Sequence, residues 1–521
     1  MNKFLDAKEI FYFIFCFIFF LILSINLAIY FDIDRHWTNI YDQEFTLAYN
    51  ALLFNNGILQ EFLDHSGYFT ILFLSIFIKI SQIFQIIDVY NLRSLLEYEN
   101  IDEPLQNIIS LTRIYSGLSV AIWCMAVNLL FYYISKSKLC SFFLSIIIFS
   151  FPGTIFHIYQ LRTELLASFF MILALLMMIN FLDSNDEKHY VKKLFLFFIF
   201  IFCAILNKSQ VFLFFFGLVY LSLFFHTSIR TINFDFIKKE KFKIYLFYTY
   251  LVILIYLFYK ISIFNGTFNS LFFISFNIII FNFIFYYLSK RSNVEPFKFL
   301  LNTNLILIFS FIILKLILFN HPSTNEKAFI NTIINIMGIA RYTTSLSLDG
   351  NATINFFQLI QSGLNQVFEY YLLNINIFSV LITAIIALSL IFRKKIGNKF
   401  FFFNLSCVVM TLSFTFISSV RSIQIVYHIF WDFLLLIPFC IFYKKLNSSI
   451  NYSIIITLLL TSFYFNYYSL LDLKKYSLTD KNELTQIIEV CEMLKTEKNN
   501  YMEGFHKKIP REKFITYCSN T

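Results

Sequence analysis

Apolar stretches of about 13 to 22 residues recur along almost the whole chain, divided by short polar segments, and surface of that extent has no place to hide in water. They lie near 10–31, 113–134, 139–156, 164–182, 194–206, 209–226, 244–263, 268–288, 299–319, 371–392, 399–417, 423–443 and 450–470. The pattern predicts an all-α, polytopic membrane protein with about thirteen transmembrane helices, because a helix satisfies its own backbone in lipid. Composition agrees, with 58% hydrophobic and 14% charged residues among 521 and a mean hydropathy of +0.70. The first run is too long for a signal sequence core and has no small-residue cleavage site, so it is expected to stay as an anchor. The 73 Phe residues accompany abundant Ile, Asn and Lys, a bias that speaks of an A+T-rich genome rather than of ligand stacking.

The run 68–87 stands apart. Ser75, Lys79, Gln82 and Gln85 recur in it at helical spacing, which predicts an interfacial helix with a polar stripe rather than a span. With that run left out, the basic clusters fall on one side of the membrane: Lys136 and Lys138; Lys188, Lys192 and Lys193; Arg230 to Lys243; Lys290 and Arg291; Arg393 to Lys395; Lys444 and Lys445. The net charge of +9 is spent in these clusters, which orient helices, and a nucleic-acid role is excluded. The positive-inside rule then places the N-terminus in the cytoplasm, in a plasma membrane of bacterial type. Two segments face outward: the loop 32–112 with its interfacial helices, and the loop 320–370. The expected organisation is a multi-span domain over 1–471 and a short extracytoplasmic tail over 472–521, whose stretch 479–498 reads as an amphipathic helix packed on the bundle.

Of eight cysteines, Cys16, Cys124, Cys140, Cys203, Cys407 and Cys440 sit in apolar runs and read as small core residues. No CxxC or His-rich spacing suggests a metal, so no cofactor is expected, although a divalent ion stays compatible with the sequence. Cys491 and Cys518 in the tail are candidates for a disulfide if it faces an oxidising compartment.

Functional groups are expected on the outer face. After the first run comes DQEFTLAYNALLFNNG, a short helix with Phe45, Ala48, Tyr49, Leu52 and Leu53 on one face and Gly57 at its end. Asp42 and Glu44 stand at its start, either as a cap or as a base at the membrane surface. HIYQLRTELLASFF puts Arg162 and Glu164 at the mouth of a helical hairpin, and ILNKSQVF puts Lys208 at the same level. In VRSIQIVYHIFWD, Arg421, Ile425, His428 and Asp432 recur at spacings of 4, 3 and 4, which predicts one helix face lined by ionisable groups. Snorkelling accounts for Lys208 and Arg421 but not for His428 and Asp432, since Asp432 falls near mid-membrane.

In these motifs the chain resembles the GT-C superfamily of polyprenol-phosphate-sugar-dependent glycosyltransferases, the group of protein O-mannosyltransferases and the aminoarabinose transferase of lipid A. The likeness rests on DQEFTLAYNALLFNNG, on DHSGY in the place of a His-Pro-Pro-like motif, on LRTELLASFF and on NKSQ, in that order, and covers roughly the first 226 residues. It implies an inverting transfer of a sugar from a polyprenyl-phosphate donor to a hydroxyl of a glycan, lipid or protein. Asp42 would be the base with Glu44 as the other candidate. Arg162, Lys208 and Arg421 would hold the phosphate, with Glu164 and His428 beside them, and His65 would orient Asp42 or touch the sugar. The loop 320–370, with Lys327 and Arg341, would act as a lid. An oligosaccharide polymerase or ligase, and a transporter or lipid flippase, are the alternatives the sequence leaves open.

Overall fold

The structure is a computed structural model that describes residues 7–37, 44–61, 67–183, 190–208, 211, 282, 285, 296–319, 361, 363–365, 367–368, 376–419, 425–446 and 448–479. Among these residues the fold is all helical, without a strand. In chain order the helices are α1 (Ala7–Tyr30), α2 (Glu44–Asn55), α3 (Tyr68–Ile83), α4 (Leu92–Leu96), α5 (Asp102–Ser135), α6 (Lys138–Phe149), α7 (Pro152–Tyr159), α8 (Thr163–Asp183) and α9 (Tyr190–Asn207). They continue as α10 (Pro296–Phe319), α11 (Ile377–Ile391), α12 (Arg393–Ser419), α13 (Ile437–Lys445) and α14 (Ser448–Thr479), with 3-10 stretches Ile425–Phe430 and Asp432–Leu435 ahead of α13.

α1 shows what its sequence is built for. Phe13, Cys16, Phe20, Ser24 and Ala28, three or four apart, face the bundle, while Phe11, Ile14, Phe15, Ile18, Ile22 and Ile29 on the other sides are exposed. A helix apolar all round with half its surface uncovered belongs in lipid. Where α1 crosses α5, Gly117 lies against Ser24, and the small pair lets the two backbones approach.

Among the described residues five helices are long and apolar enough to cross a membrane: Ala7–Tyr30, Asp102–Ser135, Thr163–Phe181, Phe299–Leu316 and Arg393–Phe416. A sixth counts if α6 and α7 form one span. The described residues do not confirm the expected thirteen: the runs 194–206 and 450–470 form α9 and α14, which are not among the five, and six further runs fall short as follows. The runs 209–226, 244–263 and 268–288 lie outside the described residues but for 211, 282 and 285. Of the run 371–392, the residues 371–375 lie outside the described ones, and α11 with its 15 residues spans about 22 Å against a hydrocarbon core of about 30 Å. The run 139–156 is broken between α6 and α7 with a bend of 66°. The run 423–443 is broken as well, and its first half winds as 3-10 helix.

Both breaks have a local cause. Pro152 has no N–H to give and forces Phe151 extended (φ −68, ψ 144), so α6 must end and α7 restart with proline at its first position. In the later run the backbone leaves helical geometry at Trp431 (φ −137, ψ −16), and Pro438 is the second residue of α13, where its missing N–H leaves no helical bond unmade. In the 3-10 stretches the backbone bonds run three residues back, from Trp431 N to His428 O and from Leu434 N to Trp431 O.

The run 68–87 does form a helix too short to be a ready span, α3, but its polar stripe is split. Ser75 is turned into the protein and donates to Leu72 O, while Lys79 and Gln85 are exposed. α2 also departs from expectation: every residue from Glu44 to Phe54 is buried, so it is a core helix under the outer layer rather than an amphipathic one at an interface. Gly57 ends it as expected, at φ +69, with Ile58 N bonding back to Leu53 O.

Two ends of the bundle differ in chemistry. At one end, Lys138 Nζ donates to Lys8 O, Tyr132 Oη donates to Glu9 at 2.5 Å, Lys193 Nζ donates to Asn180 O, and Lys445 lies over the Phe400 ring. The basic clusters around Lys136, Lys193, Lys395 and Lys445 thus gather with the N-terminal end of α1. At the other end meet the C-terminal ends of α1, α7 and α9 and the N-terminal ends of α2, α3, α5 and α8, and there the buried charges lie.

Candidate functional site

α5 is 34 residues long, roughly 50 Å, so its first turns rise beyond a hydrocarbon core and pack against α2 and α3. That length carries Arg113 into the interior, 1% exposed, opposite the first turn of α2. Arg113 Nε donates to Glu44 Oε2 at 3.2 Å, and its Nη1 donates to the carbonyls of Ile33 (3.0 Å) and Arg35. Arg35 approaches the same carboxylate oxygen at 3.7 Å, donates from Nη2 to Tyr159 O at 2.8 Å and lies over the Tyr159 ring, 4.0 Å from its centre. Glu44 is fully buried, and its Oε1 accepts no hydrogen bond. One oxygen is pinned by two guanidinium groups and the other is open.

Two residues beyond Gln160 begins a second ion cluster. Arg162 forks onto Glu164, Nε to Oε2 at 3.3 Å and Nη2 to Oε1 at 3.2 Å, the bidentate geometry that suits a guanidinium and a carboxylate. Lys208 Nζ reaches Glu164 Oε1 at 2.8 Å, and both side chains are fully buried. The Thr163 hydroxyl closes the second oxygen at 3.4 Å. Lys208 is therefore no snorkelling lysine. It is placed by Asn207, whose amide donates to Thr163 O (2.5 Å) and Thr70 Oγ1 (3.0 Å) and whose oxygen accepts from Thr70 N (2.9 Å), tying the end of α9 to the starts of α3 and α8.

The two clusters share walls. Gly67, in the left-handed region at φ +51, sits between Leu47 of α2 and Thr163: a Cβ there would lie 2.9 Å from Thr163 Cγ2 and 3.5 Å from Leu47 Cδ2. Its N–H donates to Asn207 O. α2 is held from the far side by Tyr49, which donates to Glu61 at 3.0 Å, and by Asn50, which accepts from Glu61 N. Burial, and then the Glu61 carboxylate, raise the Tyr49 hydroxyl above its ordinary value, so it stays a donor.

The late element reaches the same place. Lys208 Nζ lies 5.7 Å from the centre of the Tyr427 ring, and Ser168 of α8 donates to Ile429 O while accepting from Trp123 Nε1 of α5. His428 Nδ1 and Asp432 Oδ1 stand 3.1 Å apart, both buried, against Phe378 and Trp431. No regular helix face carries them, contrary to the spacing argument: the chain leaves helical geometry at Trp431 (φ −137), and that turn brings the pair together.

No protein-family model, curated protein or solved structure matches this chain.

Of the residues singled out in the sequence, the structure brings Arg162, Glu164 and Lys208 into one cluster, sets Glu44 in the neighbouring one and places His428 with Asp432. Asp42, His65, Lys327, Arg341, Arg421, Cys491 and Cys518 lie outside the described residues. Cys16, Cys124, Cys140, Cys203, Cys407 and Cys440 are buried free thiols. Among the described residues no three His, Cys, Asp or Glu side chains gather as a metal site.

Sequence reasoning passed over Arg35 and Arg113. Arg113 had a signal, an arginine in the apolar run LTRIYSG with no basic neighbour, since a lone charge at the start of a span needs a partner within the bundle. Arg35 had none beyond its place in the acidic segment. Chemically, the arrangement offers four fixed cations around two carboxylates at the end of an apolar bundle. Such fixed charge holds an anion without reorganising.

Proposed function

We propose that this protein is a membrane glycosyltransferase of the GT-C kind, moving a sugar with inversion from a polyprenyl-phosphate donor to a hydroxyl of a cell-envelope glycan, lipid or protein. In this reading the charged end of the bundle faces the extracytoplasmic side of a bacterial inner membrane, with the N-terminus in the cytoplasm and the C-terminal tail outside. The observation that supports it most is the buried grouping of Arg35, Arg113, Arg162 and Lys208 where the apolar helices end. A lipid-linked phosphate presents its charge at that depth, and its leaving oxygen gains negative charge as the glycosidic bond breaks. Arginine forks and a lysine point charge are suited to stabilise it.

Asp42 takes the acceptor's proton, and Glu44 holds the two arginines. Glu44 keeps one open oxygen and can receive a hydrogen bond from the acceptor, while two guanidinium groups occupy its other oxygen. The test is to incubate membranes containing the protein with labelled polyprenyl-phosphate sugars and follow the label. Transfer should fall on the order of 100-fold or more in Asp42→Asn, with the protein still in the membrane. Label that stays on the carrier with the wild type sinks the reading.

A transporter or flippase is the second reading, favoured by one observation. Two of the apolar runs are broken within the described residues, at Pro152 and at Trp431, and the buried His428–Asp432 pair lies at the second, as discontinuous helices in transporters bring ionisable groups to a central site. Substrate-dependent charge flux in proteoliposomes without sugar transfer would establish it. A polymerase or ligase would instead place its chemistry in the loop 320–370 with Arg341.

A further inference from the structure

Between the two ion clusters lies a side chain that neither uses. Gln160 follows the last turn of α7 in an extended conformation (φ −144, ψ 133), is fully buried, and makes no hydrogen bond through either its amide nitrogen or its amide oxygen. Its neighbours are all engaged. The Tyr159 carbonyl and ring hold Arg35, and Arg162 forks onto Glu164. Side chains alternate along extended backbone, which groups Gln160 with Arg162, and Leu161 between them does belong to the core formed with α2 and α3.

The buried amides of the same layer behave otherwise. Asn50 donates to Thr46 O, Asn55 to the carbonyls of Ser75 and Tyr90, and Asn207 to Thr163 and Thr70. Folded proteins seldom bury a polar group without a partner, and an amide with two donors and an acceptor all idle is a strong exception. A structural role would have given it a bond within the fold.

We infer that Gln160 is the sugar-reading residue, its amide receiving a hydroxyl of the glycosyl unit whose phosphate lies against Arg162, Lys208 and Arg35; this rests on the donor class proposed above. A hydroxyl both donates and accepts, which matches an amide, and in a simple hexosyl phosphate the C2 hydroxyl adjoins the phosphate-bearing carbon. A site that hydrogen-bonds one hydroxyl rejects an epimer that points it elsewhere, so Gln160 sets which sugar is taken.

The test uses the full chain in nanodiscs, with thermal stabilisation by short-chain polyprenyl phosphate and by a set of polyprenyl-phosphate hexoses that differ at one hydroxyl. Wild type is expected to be stabilised by the bare carrier phosphate and further by one hexose form. Gln160→Met should raise the half-saturating concentration of that form about tenfold, level the preference among epimers, and leave stabilisation by the bare carrier unchanged. Without ligand its melting temperature should equal or exceed that of wild type, because an idle buried amide has been removed. A variant that keeps the hexose preference overturns the inference while the donor reading stands. A wild type that responds to neither probe overturns both. Should Gln160→Met and Gln160→Glu each melt several degrees lower without ligand, the amide is structural and the inference falls.

Discussion

Glu44 and Glu164 are the same residue in nearly the same setting, and they are built for different tasks. Each is fully buried and each meets two cations. Glu164 has both oxygens occupied, by the Arg162 fork, Lys208 and the Thr163 hydroxyl. Glu44 has one oxygen taken by Arg113 and Arg35 and one open. A carboxylate closed on both sides sets the positions of its cations and has nothing left to offer a substrate. A half-open one can anchor its arginines and still meet a hydroxyl. Burial and pairing alone do not separate a scaffold from a working group; the count of idle lone pairs does.

Substituting the closed acid should have the largest effect. Glu164→Gln takes the carboxylate from buried Lys208 and from the Arg162 fork, and breaking a buried ion pair in this way costs about 3–5 kcal/mol, read as lost thermal stability in detergent and lower abundance in membranes. A melting temperature equal to that of wild type would show that Glu164 is not the keystone described. Glu44→Gln keeps the shape and turns its one oxygen to the arginines, so its stability loss should be smaller, about half as great, while the NH2 that replaces the open oxygen cannot accept and transfer drops about tenfold. Equal destabilisation by the two substitutions would erase the contrast between them.

Gly67→Ala probes the wall that both clusters share. The added Cβ meets Thr163 Cγ2 at 2.9 Å on a backbone at φ +51, a strain of about 1–2 kcal/mol, and the threonine methyl must shift beside Glu164. The phosphate response should weaken by a few fold, measured as the stabilisation given by bare polyprenyl phosphate. No change there would mean that the two clusters do not share geometry.

Helix limits were legible where polarity changes sharply along the chain. The run 10–31 became α1 and the run 164–182 became α8, almost residue for residue. Arg162, Glu164 and Lys208 were also legible as a group, because a hairpin mouth and a turn after one further helix must return to one end of a bundle. What stayed hidden depends on contacts distant in sequence. Arg113 meets Glu44 across 69 positions, and nothing in LTRIYSG names its partner. The break at Pro152 stands in plain sight, but hydropathy averages over it, and a run that reads as one span folds as two pieces. The all-round burial of α2 was masked by Asn50 and Asn55, polar enough to suggest a wet face, each in fact bonded inside.

The arginines at the charged end are steered largely by main-chain oxygens: Arg113 by those of Ile33 and Arg35, and Arg35 by that of Tyr159. Carbonyls belong to every residue type. Ile33 can therefore be exchanged for another apolar residue without disturbing the scaffold, and the chemistry here survives wide drift in the letters that surround it. A scaffold of this make constrains where the backbone runs more tightly than which side chains it carries.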